Sequence, residues 1–317
     1  MTTTIPAVPV TTTGRVAEPR RPSSPRLAGV SRAKAKAGWI LLIPALIHSV
    51  IFMALPTIIV VTLGFTDARV VGQGDWVWLG NYIKLFQDDT FRTALLNTLA
   101  YTLVVVPVGM AVALLIALGL NVHIRARGLF RTLFYIPVVT SAVAVSTVWL
   151  WIYNPSSGLA NEVLAFFGIG RSGWLTDPDI ALPALMLIGI WQGLGAKMII
   201  YLAALQGVSQ ELIEAARLDG ANRWQLFWNV TWPALRPVQF FVLVTSIAGS
   251  FQVFDLVYVM TQGGPANATN VLTFDIFTNA FSRLQIGYAS AETVIMFVFV
   301  GIMIYLGRLT QRDRKEL

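Results

Sequence analysis

No cysteine occurs among the chain's 317 residues, so neither a disulfide framework nor a cysteine-ligated metal or redox centre is available. Charge is scarce as well: only 12% of residues are Asp, Glu, Lys or Arg, too few to cover an ordinary soluble domain. His48 and His123 are the only histidines and have no carboxylates nearby at metal-ligand spacing. A buried His48 bonded to a carbonyl is therefore expected, rather than a metal or catalytic centre. No Gly-rich loop ending in Lys-Ser or Lys-Thr is present, which excludes ATP hydrolysis by this chain itself. Nor does the net charge of +7 mark a nucleic-acid partner, because the basic residues are spread over several loops without a basic helix or an RNA-binding aromatic box.

What abounds is apolar surface. Hydrophobic residues make up 56% of the chain and the mean hydropathy is +0.67, which places it among membrane proteins. A membrane span needs roughly 20 predominantly apolar residues. Such runs fall at about 39–65, 93–120, 129–153, 180–205, 234–260 and 289–309, giving six spans. Pro44, Pro56, Pro107, Pro137 and Pro183 lie inside or near them, so kinks are expected. Residues 1–37, rich in Thr, Pro, Ser and Arg, read as a disordered tail, and no signal-peptide pattern precedes the first apolar run at Trp39.

Lys and Arg in short loops set orientation. Lys34 and Lys36 precede the first span, Arg125, Arg127 and Arg131 join the second to the third, Arg217, Arg223 and Arg236 surround the fourth connection, and Arg308, Arg312, Arg314 and Lys315 close the chain. The other side offers Arg69, Lys84, Arg92, Arg171 and Arg283 against seven acidic residues, among them Asp67, Asp75 and Asp177. Both termini, including residues 1–37 and 312–317, are thus expected in the cytoplasm, with 38–311 forming the membrane domain.

That topology also makes the connection 206–232 cytoplasmic. Ser209 is placed to cap a short helix carrying Glu211 in its first turn, and Gly220 to end it in a left-handed conformation. Leu212, Ala215 and Ala216 can form a small apolar face, and a second turn from Asn222 can present Trp224, Phe227 and Trp228. An amphipathic element of this kind can serve a soluble partner or lie among lipid headgroups.

The spelling Glu214-Ala215-Ala216, three residues, Gly220, then Val230 and Pro233, resembles the EAA loop of bacterial ABC importer permeases; Asp219, Ala221, Phe227 and Pro237 add the longer form typical of the carbohydrate-uptake branch. A second stretch, Ser250-Phe251-Gln252-Val253-Phe254-Asp255 running on to Gly263-Gly264-Pro265, resembles sugar and glycerol-phosphate permeases. Leu129 to Pro137 and Trp191 to Leu205 match in the expected order, so the likeness covers the chain from about Gly38 onward. The resemblance implies an all-α polytopic fold of the maltose-permease-like type. It implies a coupling element at Glu214, Ala215, Ala216, Asp219 and Gly220 that docks into an ATPase. The implied partners are a second, similar permease, two ATPase subunits holding ATP and its Mg ion, and an extracytoplasmic solute-binding protein. The cargo would be a sugar or related polyol, and no cofactor would sit on this chain.

Within the spans, Gln252 and Asp255 are polar groups at membrane depth that should face a translocation path or bond a neighbouring helix. Ser250 and Phe254 flank them. Gln192, beside Trp191, offers an amide and a ring suited to sugar hydroxyls and C–H faces. Trp149, Trp151 and Tyr153 suit either an aromatic belt or the path. Lys197 is expected to snorkel toward the cytoplasmic end of its span, and Asn97 is open. A secondary transporter or channel is the competing class. It would require an ion relay, and the spans hold few ionisable groups, chiefly Asp255 and Lys197. That same scarcity of inward cations favours a neutral cargo over a phosphate ester.

Overall fold

A computed structural model describes residues 32–69, 74–122 and 126–312. The segment 1–31 of the expected tail, His123, Arg125 and residues 313–317 lie outside them. Among the described residues the architecture is helical, and the extended pairing is limited to one isolated bridge between Thr66 and Trp76.

The chain divides into two units, up to Pro56 and from Thr57 onward. In the first, helix α1 (Arg32–Ser49) begins inside the range assigned to the tail, so Arg32 to Ala37 are helical rather than disordered, and a π-helical turn (Val50–Ala54) follows. His48 is exposed and stacks obliquely on Phe52 at 5.0 Å, against the expectation of a buried histidine on a carbonyl. Gly38–Leu63 as a whole is apolar and long enough to span a membrane.

The second unit holds α2 (Leu55–Leu63) from Thr57 onward, α3 (Gly80–Gln87), α4 (Asp89–Leu120), α5 (Arg127–Val139), α6 (Ala142–Ile152), α7 (Leu159–Phe166) and α8 (Pro178–Gln206). It continues with α9 (Gln210–Leu218), α10 (Arg223–Leu226), α11 (Trp232–Phe251), α12 (Asp255–Met260), α13 (Leu272–Phe277) and α14 (Ile286–Arg312). Two of the long helices, α4 and α8, start on side-chain caps. Asp88 accepts from the Thr90 amide at 2.8 Å to open α4, and Asp177 accepts from Asp179 at 2.9 Å to open α8, with Pro178 in the first turn where its missing N–H costs nothing. Burial raises the pKa of the Asp88 carboxyl, yet hydrogen bonds from Tyr288 (2.7 Å) and from the Thr90 and Phe91 amides outweigh this and hold it below its ordinary value. That bond also ties the start of α4 to α14.

The core is made where α4, α8 and α11 meet, around Ala113, Ala117, Met198, Leu202, Leu235 and Val242. A second cluster joins α3, α4, α11, α13 and α14 around Leu85, Phe91, Phe251 and Leu272, and a third joins α6, α8 and α12 around Val145, Leu185 and Val257. Close approach of helices depends on small residues. A Cβ added at Gly195 of α8 would collide with the Phe134 carbonyl of α5 and lie 2.9 Å from Tyr135 Cα.

Of the six expected spans, five are long and apolar enough to cross as they stand, and the third is so only as a bent pair of helices. Its two halves, α5 and α6, are bent by 100° at Thr140 and Ser141, whose backbones are extended or nearly so. The fifth is interrupted as well: α11 stops at Phe251 and α12 resumes at Asp255. The Val253 carbonyl, freed by this break, accepts from Thr273 Oγ1 at 2.6 Å.

Candidate functional site

The break in the fifth span opens a cavity. Gln252 ends α11, Asp255 starts α12, and both face a space of about 550 Å³ walled by α4, α8 and α11. Gln192, Ser250, Gln252, Phe254 and Asp255, 63 positions apart at their extremes, all line it. The remaining wall includes Tyr101, Gly189, Gly193, Lys197, Thr245 and Ser246. This volume lies within the range of roughly 300–1,000 Å³ common for small-molecule sites.

The five residues differ in what they can still offer a ligand. Ser250 is buried, with Oγ 2.9 Å from the Ile247 carbonyl and 3.0 Å from Thr102 Oγ1, so its hydroxyl joins α11 to α4. Gln252 and Asp255 are exposed, and neither their side chains nor that of Gln192 take part in any hydrogen bond or ion pair among the described residues. Asp255 therefore sits exposed at a helix break instead of inside a continuous helix. Phe254 starts an aromatic group, with Tyr258 at 5.2 Å and Phe277 at 5.0 Å.

Other sequence candidates resolve into packing. Asn97 donates to the carbonyls of Asn267 (3.0 Å) and Asn270 (2.9 Å), fastening the loop that follows Gly263-Gly264-Pro265 onto α4. Tyr153 is buried against Trp174 at 4.8 Å and donates to the Ala184 carbonyl at 3.2 Å, while Trp151 is exposed. Trp191 packs edge-on to Trp149 at 5.7 Å and is absent from the cavity wall.

Two groups escaped the sequence reading. Lys197 does not snorkel away from the cavity but lines it, with Nζ against Gly193, one turn nearer the start of α8. Glu292 is fully buried in α14 and accepts from Asn279 Nδ2 at 3.0 Å on both oxygens. It belongs beside Asp255 and Lys197 among the ionisable groups of the spans. The signal available for Lys197 was the glycine four residues earlier, which leaves room for a side chain folded back along the helix.

The loop 206–232 forms a second candidate site. Ser209 Oγ accepts from the Leu212 amide at 3.4 Å to start α9. Gly220 ends it at φ +80°, with its amide on the Arg217 carbonyl and that of Ala221 on Ala216, both at 3.0 Å, the paired bonds of a Schellman turn. Asn222 and Gln225 exchange reciprocal 2.9 Å bonds to start α10. Glu214, Ala215, Asp219 and Gly220 are exposed and Ala216 is partly so. Leu212, Leu218 and Trp224 are also open, with Leu218 89% exposed, so a capped helix presents apolar groups outward beside an aromatic cluster of Trp224, Phe227, Trp228 and Trp232.

Comparison with known proteins agrees on one family. Residues 105–315 match the family of the binding-protein-dependent transport system inner membrane component. A lactose transport system permease protein of Rhizobium radiobacter is 34% identical over 299 residues, covering 91% of this chain and 100% of that protein. A probable ABC transporter permease of Pyrococcus horikoshii is 34% identical over 266 residues, covering 83% and 91%. Among solved structures, a bacterial ABC transporter that imports the acidic polysaccharide alginate superposes with a TM-score of 0.77 at 25% identity, covering 90% of this chain and 99% of that one.

Proposed function

This chain belongs to the family of binding-protein-dependent transport system inner membrane components, and from that premise we propose that it carries a sugar or related polyol along the cavity at the break between α11 and α12. It is a multi-pass inner-membrane permease subunit of an ABC importer and not an enzyme, which sets aside the secondary-transporter and channel readings. A second permease and a solute-binding protein are its partners.

The observation that carries the cargo assignment is the convergence of Gln192, Gln252, Asp255 and Phe254 on one cavity. Amides and a carboxylate pair with hydroxyls, and a ring covers the C–H face of a sugar. Relatives described as lactose, multiple-sugar and trehalose/maltose permeases support the same class. The loop around Glu214 docks on one of two ATPase subunits, which hold ATP and Mg, and both termini lie in the cytoplasm. The capped, outward-facing α9 and the basic residues of the alternate loops support these assignments.

Identifying the solute retained by the cognate binding protein tests the cargo: a saccharide or polyol supports the reading, and an amino acid, peptide or metal ion overturns it. For the path itself, Gln252→Leu keeps the bulk and removes the amide, leaving sugar hydroxyls unpaired at a cost of roughly 1–3 kcal/mol. Uptake is expected to drop about 5-fold or more, with complex yield unchanged. Wild-type uptake in that variant would remove Gln252 from the path, and a collapsed complex would make it a packing residue.

A further inference from the structure

Lys197 is a cation inside a membrane-spanning helix, yet no hydrogen bond or ion pair among the described residues involves its side chain. An ammonium taken from water at that depth is costly unless something completes its shell. Its position is built. The side chain turns back along α8, and a Cβ placed at Gly193 would lie 2.7 Å from Nζ. A Cβ placed at Gly109 on α4 would lie 3.4 Å from Nζ and 3.8 Å from Cε. Two glycines on facing helices thus leave the space that the lysine head occupies, and the cavity is the open side of that niche. A snorkelling lysine has no need of such a niche, because its head leaves the helix bundle for the interface.

The rest of the wall determines what such a cation can bind. Gln192 lies five residues nearer the start of α8, about 7.5 Å along the axis, and Thr245 and Ser246 supply hydroxyls from α11. Asp255 is the acidic group of the same wall. It is exposed at the helix break, whereas Lys197 is partly buried between α4 and α8, where a charge interaction is less screened. A negatively charged ligand therefore gains more at Lys197 than it loses at Asp255.

The geometry points to Lys197 as the counter-ion of the cargo, and so to a saccharide that carries one oxyanion, a carboxylate or a phosphate ester, rather than a neutral sugar. This rests on the saccharide reading above. It also removes the sequence argument for a neutral cargo, which depended on the scarcity of inward cations.

The absence of cysteine in this chain makes the test direct. In the complete transporter reconstituted in vesicles with its binding protein, three probes are compared: a neutral disaccharide, the same disaccharide with one uronic acid unit, and its monophosphate. Lys197→Cys is measured before and after reaction with aminoethyl methanethiosulfonate, which restores a lysine-like ammonium, or with sulfonatoethyl methanethiosulfonate, which installs an anion. The complex carrying Lys197 is treated in parallel to account for cysteines in other subunits.

The expected result is uptake of the uronate or the phosphate by wild type, a loss of about 10-fold or more in Lys197→Cys, recovery to within about threefold with the ammonium reagent, and none with the sulfonate. The responding probe separates carboxylate from phosphate. Wild-type uptake of the neutral probe alone overturns the inference and leaves the saccharide reading standing. So does an equal loss for charged and neutral probes, the outcome if Lys197 instead pairs with a partner subunit, or equal recovery with both reagents. Import of no saccharide by wild type overturns the saccharide reading itself.

Discussion

Replacing Gly195 by valine is expected to lower the yield of assembled transporter about 10-fold or more. The site is buried in α8, and an added Cβ meets backbone of α5, the Phe134 carbonyl and Tyr135 Cα, rather than a side chain that could rotate away. Overpacking costs typically 1–3 kcal/mol, roughly, where neighbours can relax, and a backbone wall relaxes least. Gly195→Ala should show a smaller loss in the same direction. Gly119→Ala supplies the comparison, since a Cβ there meets nothing within 4 Å and α4 should be unaffected or slightly firmer. Detergent-extracted complex, quantified by size-exclusion chromatography, measures all three. Equal yields for Gly195→Val and wild type would mean that α5 and α8 do not cross where the structure places them.

Gly220→Val should cut uptake about 10-fold or more while leaving the membrane domain assembled. The effect is conformational, because space is not limiting: no heavy atom lies within 4 Å of a Cβ built at Gly220, but its φ is +80°. A β-branched residue is strained there by roughly 1–3 kcal/mol, enough to unseat the turn that aims α9. Asparagine tolerates the left-handed region, so Gly220→Asn should retain most uptake. Uptake, solute-stimulated ATP hydrolysis and complex yield together decide the matter. If valine and asparagine are both as active as glycine, the turn is not part of coupling; if both are inactive, Gly220 acts through a contact that any side chain blocks, and its φ is beside the point.

Residues that act through local backbone chemistry were the legible ones. Ser209, Gly220 and Asn222 cap and stop short helices by bonds reaching three to five residues, so their types alone announce them. The apolar runs announce the spans for the same reason. Pro137 announced a kink near Thr140 and Ser141 but not a bend of 100°, because hydropathy records composition and not direction. The break after Phe251 holds no Gly or Pro in residues 252–254, and Gly249 before them did not by itself mark it. Its freed carbonyl is satisfied by Thr273, twenty residues on, a partner that only the folded chain brings near. Lys197 was legible as a position but not as a direction, since the glycine niche that turns its head involves a second helix. Glu292 was lost in an otherwise apolar average, its partner Asn279 lying in another segment.

The exposed α9 carries one more consequence. Nine residues are too few to hold a helix in water by propensity alone, and none of these is buried. Its end bonds and whatever docks on it must supply the rest. A newly made subunit that has not met its partners therefore displays a fraying peptide with Leu212, Leu218 and Trp224 in the open, the kind of segment that membrane-associated proteases and chaperones engage first. Docking on the proposed ATPase would bury the same residues, so the surface proposed for coupling would also set how long an orphaned subunit survives in the cell.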